Sequence, residues 1–274
     1  MNRIGILDPS HPINLAHPLN RGLRARWKVI PNFRGGRILR DLCRHNGAYD
    51  GTWHASATPR WNGATRPGSS GALDFSGAAN DHVTTGDTDI LDGWTQFTIN
   101  CWVNQDASQI QKAICGNYSQ GVLIETDAWD GQGVLIAINS GSNQFGYINS
   151  AITSLNEWEL WTIVFDGSQT GNADRLKFYL NATENSLAFS GTIPAAVPTV
   201  ANEFRIGANH DGRWFDGQLD DLAIHDCALG ASEIRQWRKL TQQRHSRLLN
   251  YIEPAEFNAA GHVSPYYYHH LLAG

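Results

Sequence analysis

The stretch FDGQLDDLAIHDCALGASEI, residues 215–234, contains a strand pattern followed directly by a helix pattern. Leu222 and Ile224 are separated by one residue, and this period of two is typical of a strand with one face on a core. The ALGASEI that follows is typical of the start of a short helix. Asp220 lies two and four positions before Leu222 and Ile224, and we call residues separated by an even number of positions residues of the same parity. Because residues of the same parity share one face of a strand, the alternation predicts a carboxylate that points towards the core. Such a group is costly unless it is paired or bound to a metal.

Upstream segments repeat the alternation. The clearest is FTINCWV, residues 97–103, in which four apolar residues share one face and Thr98, Asn100 and Trp102 share the other. LWTIVFDG, RLKFYLN and EFRIGAN show the same pattern, and each is predicted as a strand with one face towards the core. Only 17 % of the residues are charged, and the 27 glycines and 10 tryptophans favour a turn-rich, all-β protein.

The two ends of the chain depart from this pattern. Three prolines in residues 1–18 remove backbone donors and predict an extended arm. Near the other end, apolar residues are spaced as one helical stripe that Pro254 would end: Ile234, Trp237, Leu240, Leu248 and Ile252. The final HVSPYYYHHLLAG is rich in aromatic residues, so we expect it to pack on its own domain or on a neighbouring subunit.

Charge and hydropathy exclude several functions. A net charge of −5 provides no basic field for nucleic acid. No apolar run approaches the roughly 20 residues of a membrane span, and the N-terminus lacks the apolar region of a signal peptide. The four cysteines lack zinc-finger or C-x-x-C spacing and are interpreted as buried thiols, with Cys101 and Cys115 as the pair that a disulfide would join.

Several of these segments resemble a known family. LDFSGAANDHVTTG, FTINCWV, WELWTIVFDG, FRIGA and the stretch quoted first are together similar to the laminin-G-like jelly roll of the concanavalin-A-like lectin/glucanase superfamily. The resemblance implies a two-sheet antiparallel jelly-roll sandwich with a C-terminal helix and extended terminal segments. We expect an arm at 1–18, a jelly roll at 19–237, and a helical and aromatic extension at 238–274.

The resemblance also implies a cofactor. Members of the family often hold a structural calcium ion, and the acidic residue that matches Asp220 can ligate it together with backbone carbonyls. Asp81 has the parity of Val83 and would be a second ligand. The alternative is that both carboxylates accept hydrogen bonds from nearby backbone amides.

Aromatic rings and polar side chains of this fold commonly bind glycans. A flat ring stacks on the apolar face of a pyranose, and the loop GANHDGRWFDG, residues 207–217, supplies both kinds of group. The alternative is that the tryptophans only pack in the core or at its edge. The candidate ligand-binding residues are Trp102, Trp129, Asn209, Asp211 and Trp214.

A separate motif raises the question of catalysis. In ETDAWDGQG, residues 125–133, the carboxylates of Glu125, Asp127 and Asp130 nearly reproduce the E-x-D-x-x-E motif of glucanases on this scaffold. Retaining glycosidases need two carboxyl groups about 5–5.5 Å apart. Asp130 is one methylene shorter than the expected Glu and falls in a turn sequence. We therefore predict a surface hairpin without hydrolytic activity, and no enzyme.

The sequence thus predicts a non-enzymatic jelly-roll interaction protein that binds glycan or protein. HPLNRGL, the missing export signal and the aromatic extension are similar to members of the family from bacteriophage structural genes. That similarity implies a virion location, as capsid decoration or in a tail or fibre. The arm and the extension would then bind other virion or assembly proteins, in a homo-oligomer. The alternatives are a bacterial carbohydrate-binding or adhesion module and a degenerate or active glycoside hydrolase.

Overall fold

The computed structural model describes residues 18–29, 37–43, 49–54, 61–62, 69, 71–86, 89–117, 120–126 and 131–242 of the 274-residue chain. The strands in chain order are β1 (Leu23–Trp27), β2 (Ile38–Leu39), β3 (Gly51–His54), β4 (Trp61–Asn62), β5 (Ala72–Ser76), β6 (His82–Thr84), β7 (Gln96–Gln105), β8 (Ala113–Gly116), β9 (Leu123–Thr126), β10 (Val134–Asn139), β11 (Gln144–Ile148), β12 (Glu159–Asp166), β13 (Leu176–Leu180), β14 (Thr183–Asn185), β15 (Ala188–Ser190), β16 (Arg205–Ile206) and β17 (Asp216–His225). The helices are α1 (Asn172–Arg175) and α2 (Ala231–Gln242), with 3-10 turns at Pro18–Asn20 and Ser140–Ser142.

These strands form two sheets that pack as a sandwich. The back sheet has the order β14-β13-β12-β7-β17-β5-β4, with β1 also paired to β17. The front sheet has the order β15-β11-β10-β9-β8-β16-β6-β3-β2. Every strand pairing in both sheets is antiparallel, from β1 with β17 to β8 with β9. The predicted all-β, two-sheet antiparallel jelly roll is therefore confirmed. No helix among the described residues is long and apolar enough to cross a membrane.

The main core lies between the sheets. Phe97, Ile99, Cys101 and Val103 of β7 all belong to it, as the alternation predicts, and Ile124 of the front sheet meets them from the other side. The core holds two buried cysteines, but all four cysteines of the chain are free thiols. The disulfide that would join Cys101 to Cys115 is therefore not formed.

Helix α2 covers the outer face of the back sheet. Trp237 packs with Trp102 and Leu160, and it also belongs to one cluster with Leu19 of the first 3-10 turn. The indole Nε1 of Trp102 donates to the hydroxyl of Thr241 on the helix, at 3.0 Å. The helical stripe is confirmed through Ile234 and Trp237, both fully buried. Leu248, Ile252 and Pro254 lie outside the described residues, as do most of the arm and of the extension.

A buried ion pair lies under this helix. Arg26 of β1 and Asp221 of β17 are both 0 % exposed, and the guanidinium donates to the two carboxylate oxygens at 2.6 and 2.9 Å. Lys28 adds a second cation at 3.6 Å from Asp221. Trp237 closes the site, with its ring centroid 5.1 Å from the Arg26 guanidinium carbon. A buried charge of this kind is tolerated only when it is paired and hydrogen-bonded.

The same aspartate changes the parity of β17. The register against β7 shifts between Asp220 and Ala223, and Asp221 has a left-handed backbone with φ of 52°. Leu219 lies opposite Val103 and belongs to the main core, so its neighbour Asp220, opposite Trp102, points to the outer face of the sheet. The prediction that Asp220 shares the inward face of Leu222 and Ile224 is wrong, because a β-bulge separates them.

Replacing Asp221 with Asn should lower the free energy of unfolding by about 3–5 kcal/mol, because Arg26 would keep its buried charge without a full counter-charge. Urea denaturation measures this difference. The matched control is Asp226→Asn, which removes the partner of Arg24 from a partly exposed ion pair and should cost less than about 1 kcal/mol. Equal losses in the two variants would contradict the role given to the buried pair.

Candidate functional site

The outer face of the back sheet is covered by α2, so the candidate site is on the outer face of the front sheet. This face carries polar and aromatic side chains. One row of directly opposed residues faces the main core, namely Ile136, Ile124, Cys115, Ile206, Val83 and Trp53. Because neighbours along a strand point to opposite faces, the residues on either side of this row point outward. Glu125, His82 and His54 are among them.

Three aromatic rings follow one another on this face, and we call His54, His82 and Trp214 the ring ladder. His54 and His82 are cross-strand partners whose rings stack at 5.1 Å with 14° between their planes. His82 and Trp214 follow at 5.3 Å and 38°. His54 is exposed, Trp214 is half-buried and His82 is 6 % exposed. Nε2 of His54 lies 2.9 Å from the hydroxyl of Thr84, which fixes one end of the ladder.

The middle ring of the ladder is uncharged at neutral pH. Burial, the nearby Arg205 guanidinium and the imidazole of His54 together lower the pKa of His82 to about 4. A neutral imidazole packs favourably between its two neighbouring rings, so His82 orders the ladder, and the rings that a ligand can reach are the exposed His54 and the half-buried Trp214.

The loop at residues 207–217, which we call the site loop, places Trp214 on the ladder. Its backbone is bound to the sheet because Gly207 donates to the carbonyl of Ile114 at 2.8 Å, and the carbonyl of Arg213 accepts from Ala113 at 3.0 Å. At Gly212 φ is +79°, and a Cβ there would come 3.4 Å from the Trp214 indole nitrogen. A glycine therefore suits this turn.

Asn209 organises the site loop from within. It is fully buried, and its Oδ1 accepts from the backbone N–H of Asp211 at 2.9 Å and of Arg213 at 3.1 Å. An amide in this position shapes the turn and does not reach the surface. The prediction that Asn209 reads ligand hydroxyls is therefore corrected, whereas Asp211 is exposed at the tip of the same loop.

Glu125 anchors the site loop to the front sheet through an ion pair with Arg213. It is 1 % exposed on the outer face, and both of its carboxylate oxygens lie 2.6 Å from Nη1 of Arg213. Burial raises the pKa of Glu125, while the ion pair with Arg213 lowers it and the carboxylate of Asp211 raises it. On the other side of the ladder, Arg205 is paired with Glu203 at 3.2 Å. Both guanidinium groups next to the rings are thus held by carboxylates.

The structure distributes the remaining predicted site residues differently. Trp102 is 2 % exposed beneath α2, on the opposite sheet, so its proposed place in a ligand platform is corrected. Trp129, Asp127 and Asp130 lie outside the described residues. His54 and His82 were not among the site residues predicted from the sequence. His82 precedes the core residue Val83 in NDHV, and this alternation predicts that it faces outward.

The two predicted metal ligands are engaged with protein donors. The oxygens of Asp81 accept from the Trp53 indole at 3.1 Å and from the backbone and hydroxyl of Ser76, both at 2.7 Å. Asp220 accepts from the hydroxyl of Ser69 at 2.7 Å. Across the described ranges, no group of three or more His, Cys, Asp or Glu side chains could hold a metal ion. Backbone carbonyls can complete a calcium site, so calcium stays a prediction for these two carboxylates.

Comparison with known proteins identifies the fold family. A family model described as "Concanavalin A-like lectin/glucanases superfamily" matches residues 76–235. The comparison with curated proteins found no match. Among solved structures, domain 4 of AbnA, a GH43 extracellular arabinanase from Geobacillus stearothermophilus, in complex with arabinotriose, is 21 % identical with a TM-score of 0.56. That match covers 78 % of this chain and 97 % of that one.

A second group of similar structures comes from toxins. The binding domain of botulinum neurotoxin DC in complex with SialylT is 13 % identical with a TM-score of 0.55, over 81 % of this chain and 51 % of that one. The present chain thus spans about half the length of the toxin domain. At these identities the likeness shows the fold alone.

If calcium binds through Asp220, the protein should melt at a higher temperature with calcium than with a chelator, because a ligand of the native state stabilises it by mass action. In Asp220→Asn the two melting temperatures should be the same, and Asp81→Asn tests the second carboxylate in the same way. Differential scanning calorimetry measures the melting temperatures of the unaltered protein and of each variant, with calcium and with a chelator. Identical melting of the unaltered protein with calcium and with chelator would remove calcium from both positions.

Proposed function

The chain belongs to the concanavalin A-like lectin/glucanase superfamily, and from this membership and the ring ladder we propose that it is a non-enzymatic glycan-binding module. The ligand would lie on the outer face of the front sheet. The observation that carries the proposal is the stack of His54, His82 and Trp214, which is held at spacings of 5.1 and 5.3 Å. The similar arabinanase domain was solved with arabinotriose, which supports a sugar as the class of ligand.

The chemistry of the ladder suits a sugar ring. A pyranose or furanose has an apolar C–H face that packs on a flat ring, and hydroxyls at its rim that need hydrogen-bond partners. The carboxylate of Asp211 and the hydroxyl of Thr52 are available beside the ladder, since Thr52 is on the outward row next to His54 and Asp211 is on the site loop. One face thus supplies both kinds of contact.

The position of Glu125 supports binding without hydrolysis. A retaining mechanism needs a nucleophile and an acid about 5–5.5 Å apart across one sugar bond. Both oxygens of Glu125 are occupied by Arg213, and the residue is 1 % exposed. Its carboxylate therefore holds the guanidinium and the site loop in place, which is a structural role in the proposed module.

We propose, in addition, that the terminal segments attach the module to a larger assembly such as a virion. The described residues at the two ends meet on the back sheet, where Leu19 packs with Trp237 and Arg21 pairs with Glu233 at 3.2 Å. This meeting point is on the opposite side of the sandwich from the ring ladder. Attachment there, to assembly proteins and to further copies of the chain, leaves the ladder accessible.

Replacing Trp214 with Ala should weaken glycan binding by about tenfold, because one stacking ring is lost from the ladder. Isothermal titration calorimetry with arabinotriose, cellotriose and lactose measures the affinity. The matched control is Trp158→Ala, since Trp158 is a half-buried tryptophan on the helix side of the molecule and should leave the affinity unchanged.

Three outcomes would contradict the proposal. Equal affinities for Trp214→Ala and the unaltered protein, or no binding of any of the three sugars, would remove the ladder as the binding site. Sustained release of reducing sugar from β-glucans and arabinans, abolished in Glu125→Gln, would show a glycoside hydrolase instead.

Deleting residues 1–17 and 243–274 should abolish oligomer formation and incorporation into an assembly while the jelly roll stays folded, because the described residues between these segments form core clusters with one another. Sedimentation velocity of the full and shortened chains measures the oligomeric state. An unchanged oligomer in the shortened chain would show that the interface lies on the sandwich itself.

A further inference from the structure

The charged groups around the ring ladder are nearly all neutralised within the protein. Arg205 is paired with Glu203, and Arg213 is paired with Glu125, as described above. His210 on the site loop directs Nε2 to the carbonyl of Glu203 at 3.0 Å. The two guanidinium groups beside the ladder therefore each have a carboxylate as their partner.

Two further cations border this face. Arg37 is exposed at the strand position opposite Trp53, and its Nη1 donates to the Trp53 carbonyl at 3.2 Å. Lys112 precedes β8 with the parity of Ile114, which belongs to the main core. Lys112 is therefore not on an outward row.

The carboxylate of Asp211 belongs to neither of these two ion pairs. Asp211 is exposed at the tip of the site loop, three residues before Trp214, and its backbone is fixed by Asn209. Its field reaches the front sheet, because it contributes to the raised pKa of Glu125. Asp211 together with the two ion pairs, Arg205 with Glu203 and Arg213 with Glu125, therefore sums to one negative charge.

We propose that the ring ladder selects uncharged sugars over sugars that carry a carboxylate or sulfate, and that Asp211 sets this preference. The inference rests on the proposed glycan-binding function and narrows its ligand class. An anionic sugar on the ladder would meet the like charge of Asp211, and it would have to take Arg205 or Arg213 from its present carboxylate. A bidentate arginine clamp for an anion is available only when the guanidinium has no competing partner.

The test compares each neutral sugar with its own monosulfated form. Arabinotriose, cellotriose and lactose, with their monosulfated derivatives, are titrated calorimetrically at pH 7 in about 50 mM and about 500 mM salt. The unaltered protein should bind the neutral member of a pair about tenfold more tightly at low salt, and the preference should shrink at high salt.

Asp211→Asn should reduce the ratio of the neutral to the sulfated affinity from about ten towards one, although the neutral sugar would also lose the hydrogen bonds that the carboxylate accepts from its hydroxyls. The matched control is Asp174→Asn, which removes the same charge from an exposed position on α1, a helix that packs against strands of the back sheet. It should leave the preference unchanged. Melting temperatures of both variants check that the fold is retained.

The possible failures are distinguishable. Equal or tighter binding of the sulfated sugars by the unaltered protein overturns the charge selection and leaves the glycan-binding function standing. An unchanged preference in Asp211→Asn overturns the assignment to this residue. Binding of none of the six sugars overturns the proposed function, and this inference with it.

Discussion

The pair formed by Arg26 and Asp221 is the interaction on which the arrangement of the back sheet depends. Both charges are removed from water, so β1 must lie where its guanidinium reaches β17, and Asp221 must keep the left-handed backbone that presents its carboxylate. The position of this bulge determines which residues of β17 face the main core and which face α2. Trp237 of α2 then closes over Arg26, and His225, whose pKa burial lowers to about 4, lies against the same indole ring.

The closed outer face of the back sheet explains why the front sheet is the side available to a ligand. Strand β17 begins at Asp216, within the last two residues of the site loop, and Gln109 accepts a hydrogen bond from the N–H of Asp216 at 2.8 Å. The loop therefore enters the strand that carries the buried pair, and the two features are separated by only a few residues. A change that moves the bulge would shift the register of β17 and, with it, the anchoring of Trp214 to the ladder.

Alternation along single strands was enough to predict an all-β protein, as the faces of FTINCWV show, and the family resemblance added the two-sheet sandwich, but neither could predict side-chain environments. The parity of Asp220 was wrong because a bulge needs a partner strand to be visible, and nothing local in LDDLAI marks it. Trp102 was correctly assigned to the outward face, but only the packing of α2 shows that this face is buried. The ladder was missed because His54 and His82 are 28 residues apart and become neighbours through the pairing of β3 with β6.

The carboxylate of Glu125 shows how a catalytic motif and a structural one coincide. Strand β9 places the side chain of Glu125, the first carboxylate of the glucanase-like motif, on the outer face of the front sheet. Here the same position lies opposite Ala113 and Leu135, in an apolar part of the face where an unpaired carboxylate would be costly. The guanidinium of Arg213 compensates the buried charge of Glu125. Because the backbone carbonyl of Arg213 also accepts a hydrogen bond from Ala113, the ion pair fixes the loop that carries Trp214. In the proposed module, the acidic residue thus contributes to binding by holding the loop, and needs no second carboxylate for that role.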